Sequence, residues 1–266
     1  MPLVPLFDPK KKGRPMRVAG FISGSGTNIV NLIQREKILR AKKGSPPFEV
    51  IFIFSDRSDG SCFGESIACD TGIPYMSYDI RTFHRLRGLE RTVSTPEGLA
   101  ARHDFDNVAG TLVRAFDIDV IALGGYMSYL TLEPCINVHP ADLSILDSKG
   151  KRKYVGDNAV VDAMVAGEKF LRSSTIWTDR GMDTGPLLMV SDPVTVELPE
   201  PLESLVADKE KLLKVAEEHQ QKLKEVGDWA IFPETLEMIA QGRFALDEKN
   251  RVHVDGQPAP KGYRRA

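Results

Sequence analysis

Asn137 and His139 stand two positions apart in INVHPADLS, residues 136 to 144, with Pro140 directly behind them. In a strand, residues i and i+2 point to the same face, so an amide and an imidazole would project side by side at a strand end. The imidazole ionises near neutral pH and can carry a proton. The amide can donate to an oxygen that turns negative in a transition state. A merely polar strand terminus would carry the same residues, so a third group is needed. WTDRGMDTGPLL, residues 177 to 188, offers Asp183 in a turn rich in glycine and proline. A carboxylate near an imidazole orients it and favours its protonated form. By itself Asp183 also reads as a turn former. Together the three residues make an acid–base and oxyanion set with no nucleophile of its own, which suits transfer between two bound substrates. Of the other histidines, His84, His103 and His219 lie in polar helical surroundings and His253 in a terminal hairpin.

GSGTN, residues 24 to 28, falls where a first strand hands over to a first helix. Glycines there let backbone amides approach an anion, and the helix adds its partial positive end, so phosphate is the natural ligand. A tight turn that binds nothing would look the same. A dinucleotide fingerprint is a further reading, with Asp56 as the ribose-binding acid of a nicotinamide-dependent oxidoreductase, but isoleucine occupies position 29 where the third glycine belongs.

These residues need elements to place them. RVAGFIS (17–23), FEVIFIFS (48–55), PYMSYD (74–79) and IDVIALGGY (118–126) read as strands, and FEVIFIFS is apolar on both alternations, as a strand covered on both faces should be. IVNLIQREKILRA, a short FGESIACDTG segment, and a stretch with Phe105, Val108, Ala109, Leu112, Val113 and Phe116 on one face read as helices. A helix is expected near 158–167, then strands at SSTIWTD and LLMVSDPVTV. Alternating strands and helices imply an α/β fold, a Rossmann-like, doubly wound, mostly parallel sheet. From about residue 200 a C-terminal helical and hairpin extension follows. It opens with one long charged helix burying Leu205, Leu212, Leu213, Ala216, Leu223 and Val226, continues with a helix from PETLEMIAQG, and closes with the hairpin FALDEKNRVHVDG. Residues 1–16 read as an irregular arm and 17–266 as a single domain.

The 266 residues carry a formal net charge of −2, which gives no general argument for nucleic acid or an acidic membrane as partner. KGKRK at 149–153 is a local basic run, read either as a solvated loop or as a contact to a phosphate-rich substrate. Cys62, Cys69 and Cys135 show no zinc-type spacing, so no metal is expected, and scattered thiols fit a reducing compartment. Without a signal-like segment or an apolar run of about 18 residues, the expected location is the cytoplasm. The sequence leaves the oligomeric state open.

RVAGFISGSGTN, FSDRSDGSCFGESIACDTGIP, IDVIALGGYM, INVHPADL, TDRGMDTGPLL and VDGQPAPKGYRR occur in this order. The chain thereby resembles the folate-dependent formyltransferases from about residue 16 to its end, and most closely the branch that acts on glycinamide ribonucleotide in purine biosynthesis. The resemblance implies transfer of a formyl group from 10-formyltetrahydrofolate to an amine without a metal. It implies that Gly26, Thr27 and Asn28 hold the ribonucleotide phosphate, and that Arg81, Met127, Ser128, Tyr129 and Leu130 contact the folate. Asn137 would stabilise the oxyanion, His139 would transfer the proton, and Asp183 would raise the imidazole's pKa. Three segments depart from the family pattern. Met127-Ser128 replaces Met-Arg, ADLSILDSKGKRKYVGDNAVV (141–161) replaces a shorter loop, and Arg172-Ser173-Ser174 replaces Gly-Thr-Ser. The altered surround keeps other acceptors open: a sugar-nucleotide amine, an aminoacyl group on tRNA, or water.

Overall fold

The computed structural model describes residues 2–264. Arg265, the last residue of the VDGQPAPKGYRR motif, lies outside the described residues. The chain divides into two units, Phe7–Asn137 and Val138 onward together with the segment up to Leu6. Within the segment read as an irregular arm, the chain forms a two-residue strand, β1 (Val4–Pro5), and one helical turn, α1 (Pro9–Lys12), whose cap is the Asp8 carboxylate accepting from the amides of Lys10 and Lys11.

The unit Phe7–Asn137 contains β2 (Met16–Ile22), α2 (Thr27–Lys43), β3 (Phe48–Ser55), α3 (Gly64–Thr71), β4 (Tyr75–Ser77), α4 (Ile80–Arg87), α5 (Pro96–Ala115), β5 (Val120–Leu123) and the start of β6 (Cys135–His139). Its strands pair in parallel in the order β4–β3–β2–β5–β6. The chain therefore winds outward from β2 in one direction through β3 and β4, and in the other through β5 and β6. In such a sheet ligands gather at the carboxyl ends of the strands, at the switch between the two directions. The double alternation in β3 has its expected cause, since Phe52 and Phe54 join one apolar cluster with Phe21, Ala109, Ile121 and Tyr126 while Val50 and Ile53 are buried as well. Below β5, Asp119 is nearly enclosed and takes Arg14 at 2.5 Å, Lys12 at 2.8 Å and the amide of Arg17 at 2.9 Å. Burial alone would raise the Asp119 pKa, but these bonds outweigh it and hold the carboxyl below its ordinary value.

The second unit holds α6 (Ala159–Val165), β7 (Phe170–Leu171), β8 (Ser174–Trp177), β9 (Leu187–Val190), β10 (Val194–Thr195), α7 (Leu202–Ala207), α8 (Lys209–Leu223), a π-helical segment (Lys224–Asp228), α9 (Trp229–Ala240), β11 (Phe244–Leu246), β12 (Val252–Val254), β13 (Gln257–Pro258) and β14 (Tyr263–Arg264). β9 pairs antiparallel with β8 and parallel with β14. The expected closing hairpin is present, with Phe244 opposite Val254, and it joins β1 and β13 in a four-stranded antiparallel sheet. The long C-terminal helix is broken at Asp208, whose backbone is extended and whose carboxylate caps α8 at the amide of Lys211. Restarting there sets the buried face to Leu212, Val215, Ala216, His219 and Leu223, and Leu213 is left 40% exposed. Val226 is exposed as well because the π segment inserts extra chain and turns the face.

Candidate active site

His139 is the last residue of β6 and is 5% exposed. Its Nδ1 lies 3.4 Å from Asp183 Oδ2, and its Nε2 lies 3.1 Å from the carbonyl oxygen of Tyr154. A carbonyl only accepts, so Nε2 carries a hydrogen and Nδ1 is the atom that gains or loses a proton. Burial is the largest influence on this ring and holds its pKa below the ordinary histidine value, while Asp183 and the Tyr154 carbonyl pull upward. Asp183 thus pulls in the direction expected from the sequence, and desolvation outweighs it. At neutral pH the resting imidazole is neutral, ready to accept a proton.

The strand end is fixed from behind. Ser174 Oγ, wholly buried at the start of β8, donates to the Ala141 carbonyl at 2.7 Å and accepts from the Leu143 amide at 3.0 Å. Ser174, the one residue of Arg172-Ser173-Ser174 that keeps the family pattern, thus pins the turn that follows His139. Asp183 has a φ of 52°, the left-handed region that non-glycine residues rarely occupy. Its carboxylate accepts from the Gly156 amide at 2.9 Å. Arg152 donates one guanidinium nitrogen to the Asp183 carbonyl and another, at 2.7 Å, to the Gly185 carbonyl. Tyr154, Arg152 and Gly156 were not singled out from the sequence. The signal for Arg152 there was the basic run, whose charge says nothing of which member turns inward, and Tyr154 and Gly156 lie just beyond it.

Asn137, half-buried, sits opposite Leu123 of β5 in the Phe7–Asn137 unit. At the same strand ends of that unit lies a cavity of about 200 Å³, lined by Asp56, Arg57, His84, Arg91, Arg102 and the segment Met127–Tyr129 among others. Met127 is 67% exposed at its mouth. Ser128 donates to Asp56 Oδ2, Ser23 Oγ donates to Asp56 Oδ1 at 2.6 Å, and the Met127 amide donates to Ser23 Oγ at 2.9 Å. Asp56 is buried with both oxygens engaged by serines, which replaces the ribose-binding role considered for it. Arg102 is buried, paired with Asp106 at 2.8 Å and bonded to the Tyr126 hydroxyl at 3.2 Å. A guanidinium held this way on the cavity wall needs no reorganisation to meet an anion.

Two residues of the expected folate set do not line this cavity. Arg81 is on the exposed side of α4, 3.4 Å from Asp59, and is not among the cavity's lining residues. Leu130 packs against the apolar cluster around Tyr126. The cavity's arginines left one trace in the sequence. Arg102 precedes Phe105 by three positions, so a charge falls on the apolar face of α5, where Arg102 and Asp106 are both buried.

At the end of β2, Gly26 caps α2 with φ 64° and offers no side-chain cap bond to the first helical amides. This left-handed conformation favours glycine, and a Cβ there would also come within 2.8 Å of Ile67 Cδ1. Thr27 opens the helix and Asn28 is buried, its Oδ1 without a hydrogen-bond partner among the described residues. Uncapped backbone amides and a helix N-terminus make an anion-binding geometry, to which the Asn28 oxygen, an acceptor, adds nothing. Among the described residues, no group of three or more His, Cys, Asp or Glu side chains could hold a metal ion, and no helix is long and apolar enough to cross a membrane.

The class defined by these features is a Rossmann-like α/β fold that gathers ligands at strand carboxyl ends and ends one strand in a buried imidazole–carboxylate pair. Residues 16–216 match the family described as formyl transferase, and the chain belongs to that family. It is similar to the phosphoribosylglycinamide formyltransferase of Haemophilus influenzae, with 23% identity over 256 residues, 93% of this chain and 98% of the relative. Among solved structures, the phosphoribosylglycinamide formyltransferase of Coxiella burnetii shares the fold with a TM-score of 0.64 at 24% identity, covering 95% of this chain and all of the other. A formyltetrahydrofolate deformylase from Pseudomonas syringae pv. tomato shares it with a TM-score of 0.59 at 18% identity, covering 91% of this chain and 66% of the other. The chain is a folate-dependent formyltransferase.

Proposed function

We propose that this enzyme moves the formyl group of 10-formyltetrahydrofolate to the amine of glycinamide ribonucleotide, a step of purine biosynthesis. The relatives named for that activity support the acceptor, and the observation that carries the chemistry is the buried His139–Asp183 pair with Asn137 two residues earlier on the same strand. The ribonucleotide phosphate binds at Gly26, Thr27 and Asn28, where uncapped amides and the helix N-terminus favour an anion. The folate binds through Met127, Ser128 and Tyr129. A cavity of about 200 Å³ takes only part of so large a molecule, and its arginines suit the glutamyl carboxylates.

In this mechanism the acceptor nitrogen attacks the formyl carbon, a C–N bond forms, and the carbonyl electrons move to oxygen. The Asn137 amide donates to that oxyanion. The proton released by the attacking nitrogen enters the His139–Asp183 pair at Nδ1, where the new imidazolium is paired with the Asp183 carboxylate. It then passes to N10 of the folate as the old C–N bond breaks. Neutral His139 fits this order, since its first task is to accept. The donor is a co-substrate and the reaction runs in the cytoplasm.

The test is an absorbance assay for deformylated folate, run with and without glycinamide ribonucleotide. Turnover should depend on the ribonucleotide and fall by about 10² to 10⁴ in His139→Ala and Asp183→Asn, the usual scale for removing a general acid–base group. Folate released at full rate without any amine would instead mean that water is the acceptor. Normal turnover in His139→Ala would remove the mechanism.

A further inference from the structure

We infer that Arg152, on the loop between residues 142 and 157, is a positioning residue for Asp183 and, through Asp183, for His139. The inference rests on the proposed function for its kinetic consequences, but its geometry stands apart from it.

Five consecutive residues of this loop make three different ties to the pair. Arg152 holds the backbone of the Asp183 turn through the carbonyls of Asp183 and Gly185. The Gly156 amide donates to the Asp183 carboxylate at 2.9 Å, and the Tyr154 carbonyl accepts from His139 at 3.1 Å. Asp183 needs such holding because its left-handed φ of 52° is disfavoured for a residue with a side chain. Two carbonyls bound by two nitrogens of one planar group is a geometry that arginine satisfies and lysine does not. The rest of the basic run is directed elsewhere. Lys149 and Lys151 are exposed, and Lys153 lies 3.6 Å from Glu168. Of the basic run, then, it is Arg152 whose guanidinium is spent on the backbone carbonyls of the protein's own turn.

The charged groups acting on His139 are Asp183, Arg152 and Asp157, and those acting on Arg152 are Asp183 and Asp179. Replacing Arg152 both removes a nearby positive charge and frees the turn, so the sign of a single shift does not isolate positioning. A cycle does. His139 would be titrated by NMR of ring-labelled protein, with its signal assigned by loss in His139→Gln. The titration would be run in the unaltered enzyme, Asp183→Asn, Arg152→Gln and the double variant. Positioning predicts that Asp183→Asn lowers the His139 pKa in the unaltered enzyme and lowers it much less when Arg152 is already gone. It also predicts that Arg152→Gln reduces kcat on the order of tenfold or more with KM changed far less, because a displaced carboxylate affects the chemical step. Arg152→Lys should not restore kcat. Equal effects of Asp183→Asn with and without Arg152, or a kcat near normal in a folded Arg152→Gln, would overturn the inference. Absence of formyl transfer in the unaltered enzyme would defeat the proposed function alone, because the titration cycle would still decide the role of Arg152. If Arg152→Gln fails to fold, the same cycle is run on Arg152→Lys.

Discussion

His139 is neutral at rest because enclosure costs an imidazolium more than one carboxylate at 3.4 Å returns. A base of this kind has a defined pH signature. The active form is the deprotonated ring, so kcat/KM should fall as pH drops through the depressed pKa, giving an acid limb below about 6.5, the ordinary histidine value. Asp183 pulls the pKa upward, so Asp183→Asn should move that limb to still lower pH while reducing the plateau. A pH–rate profile of both enzymes checks the sign, and a limb that moves upward in the variant would contradict the assignment of the base. Of the residues read from sequence, Asn137, His139 and Asp183 were each ambiguous alone, and what the structure adds is that His139 and Asp183, 44 positions apart in the chain, lie within 3.4 Å of each other. Arg152 was not legible, since choosing among Lys149, Lys151, Arg152 and Lys153 depends on a loop path that no periodicity encodes. Arg81 came from the resemblance and not from any pattern of the residues around it. The family resemblance implies a folate contact for it, and in the structure it is exposed on α4, 3.4 Å from Asp59.

Elements were read well where one period ran unbroken. The 3–4 spacing around Phe105 and the double alternation of FEVIFIFS correspond to α5 and β3, although Val108, read onto the same apolar face, is 43% exposed. The stretch from Leu202 to Ala240 was read less well, because a cap at Asp208 and a π segment at Lys224–Asp228 reset the helical face twice. Each reset moves apolar residues such as Leu213 off the buried side, and neither leaves a mark in hydrophobicity alone. Pro233, expected near a helix start, lies inside α9, shortly after the wider π turn. The segment before β2 supplies a testable case of element anchoring. Asp119 joins Lys12, Arg14 and the backbone of Arg17, so Asp119→Asn should destabilise the protein by about 1–3 kcal/mol at neutral pH, the scale for charge-assisted bonds to a buried group. Because the Asp119 pKa is depressed in the folded state, its contribution is present above the unfolded value near 4 and lost as pH falls through the folded one. Urea denaturation at pH 7 and at pH 3 should therefore show a gap between the two proteins that narrows in acid. A gap of equal size at both pH values would mean the carboxylate charge is not what anchors the segment.

For the molecule as a whole, β6 is the element to follow. Its first three residues, through Asn137, belong to one unit and its last two to the other, so neither unit keeps a complete β6 if the other unfolds. We expect the two to melt together, in keeping with a single domain from residue 17. Both tryptophans, Trp177 and Trp229, lie after residue 138, so fluorescence reports that unit while far-UV circular dichroism reports helices and strands of both. Superimposable transitions by the two probes would bear this out, and separated midpoints would mean the units are thermodynamically independent.

The serine pair around Asp56 bears on how an inhibitor would discriminate this enzyme. A chain with Met-Arg at this strand end offers an antifolate a flexible positive charge there. Ser128 offers a short hydroxyl already committed to a buried carboxylate, and Arg57 and Arg91 stand on the surrounding wall, with Arg102 there paired to Asp106. On the proposed folate assignment, a compound with its acid directed at the wall and a compact neutral group over Ser128 should bind this enzyme more tightly than a Ser128→Arg variant, which a competition titration would read. Selectivity in drug design would then follow from one side chain's lost volume.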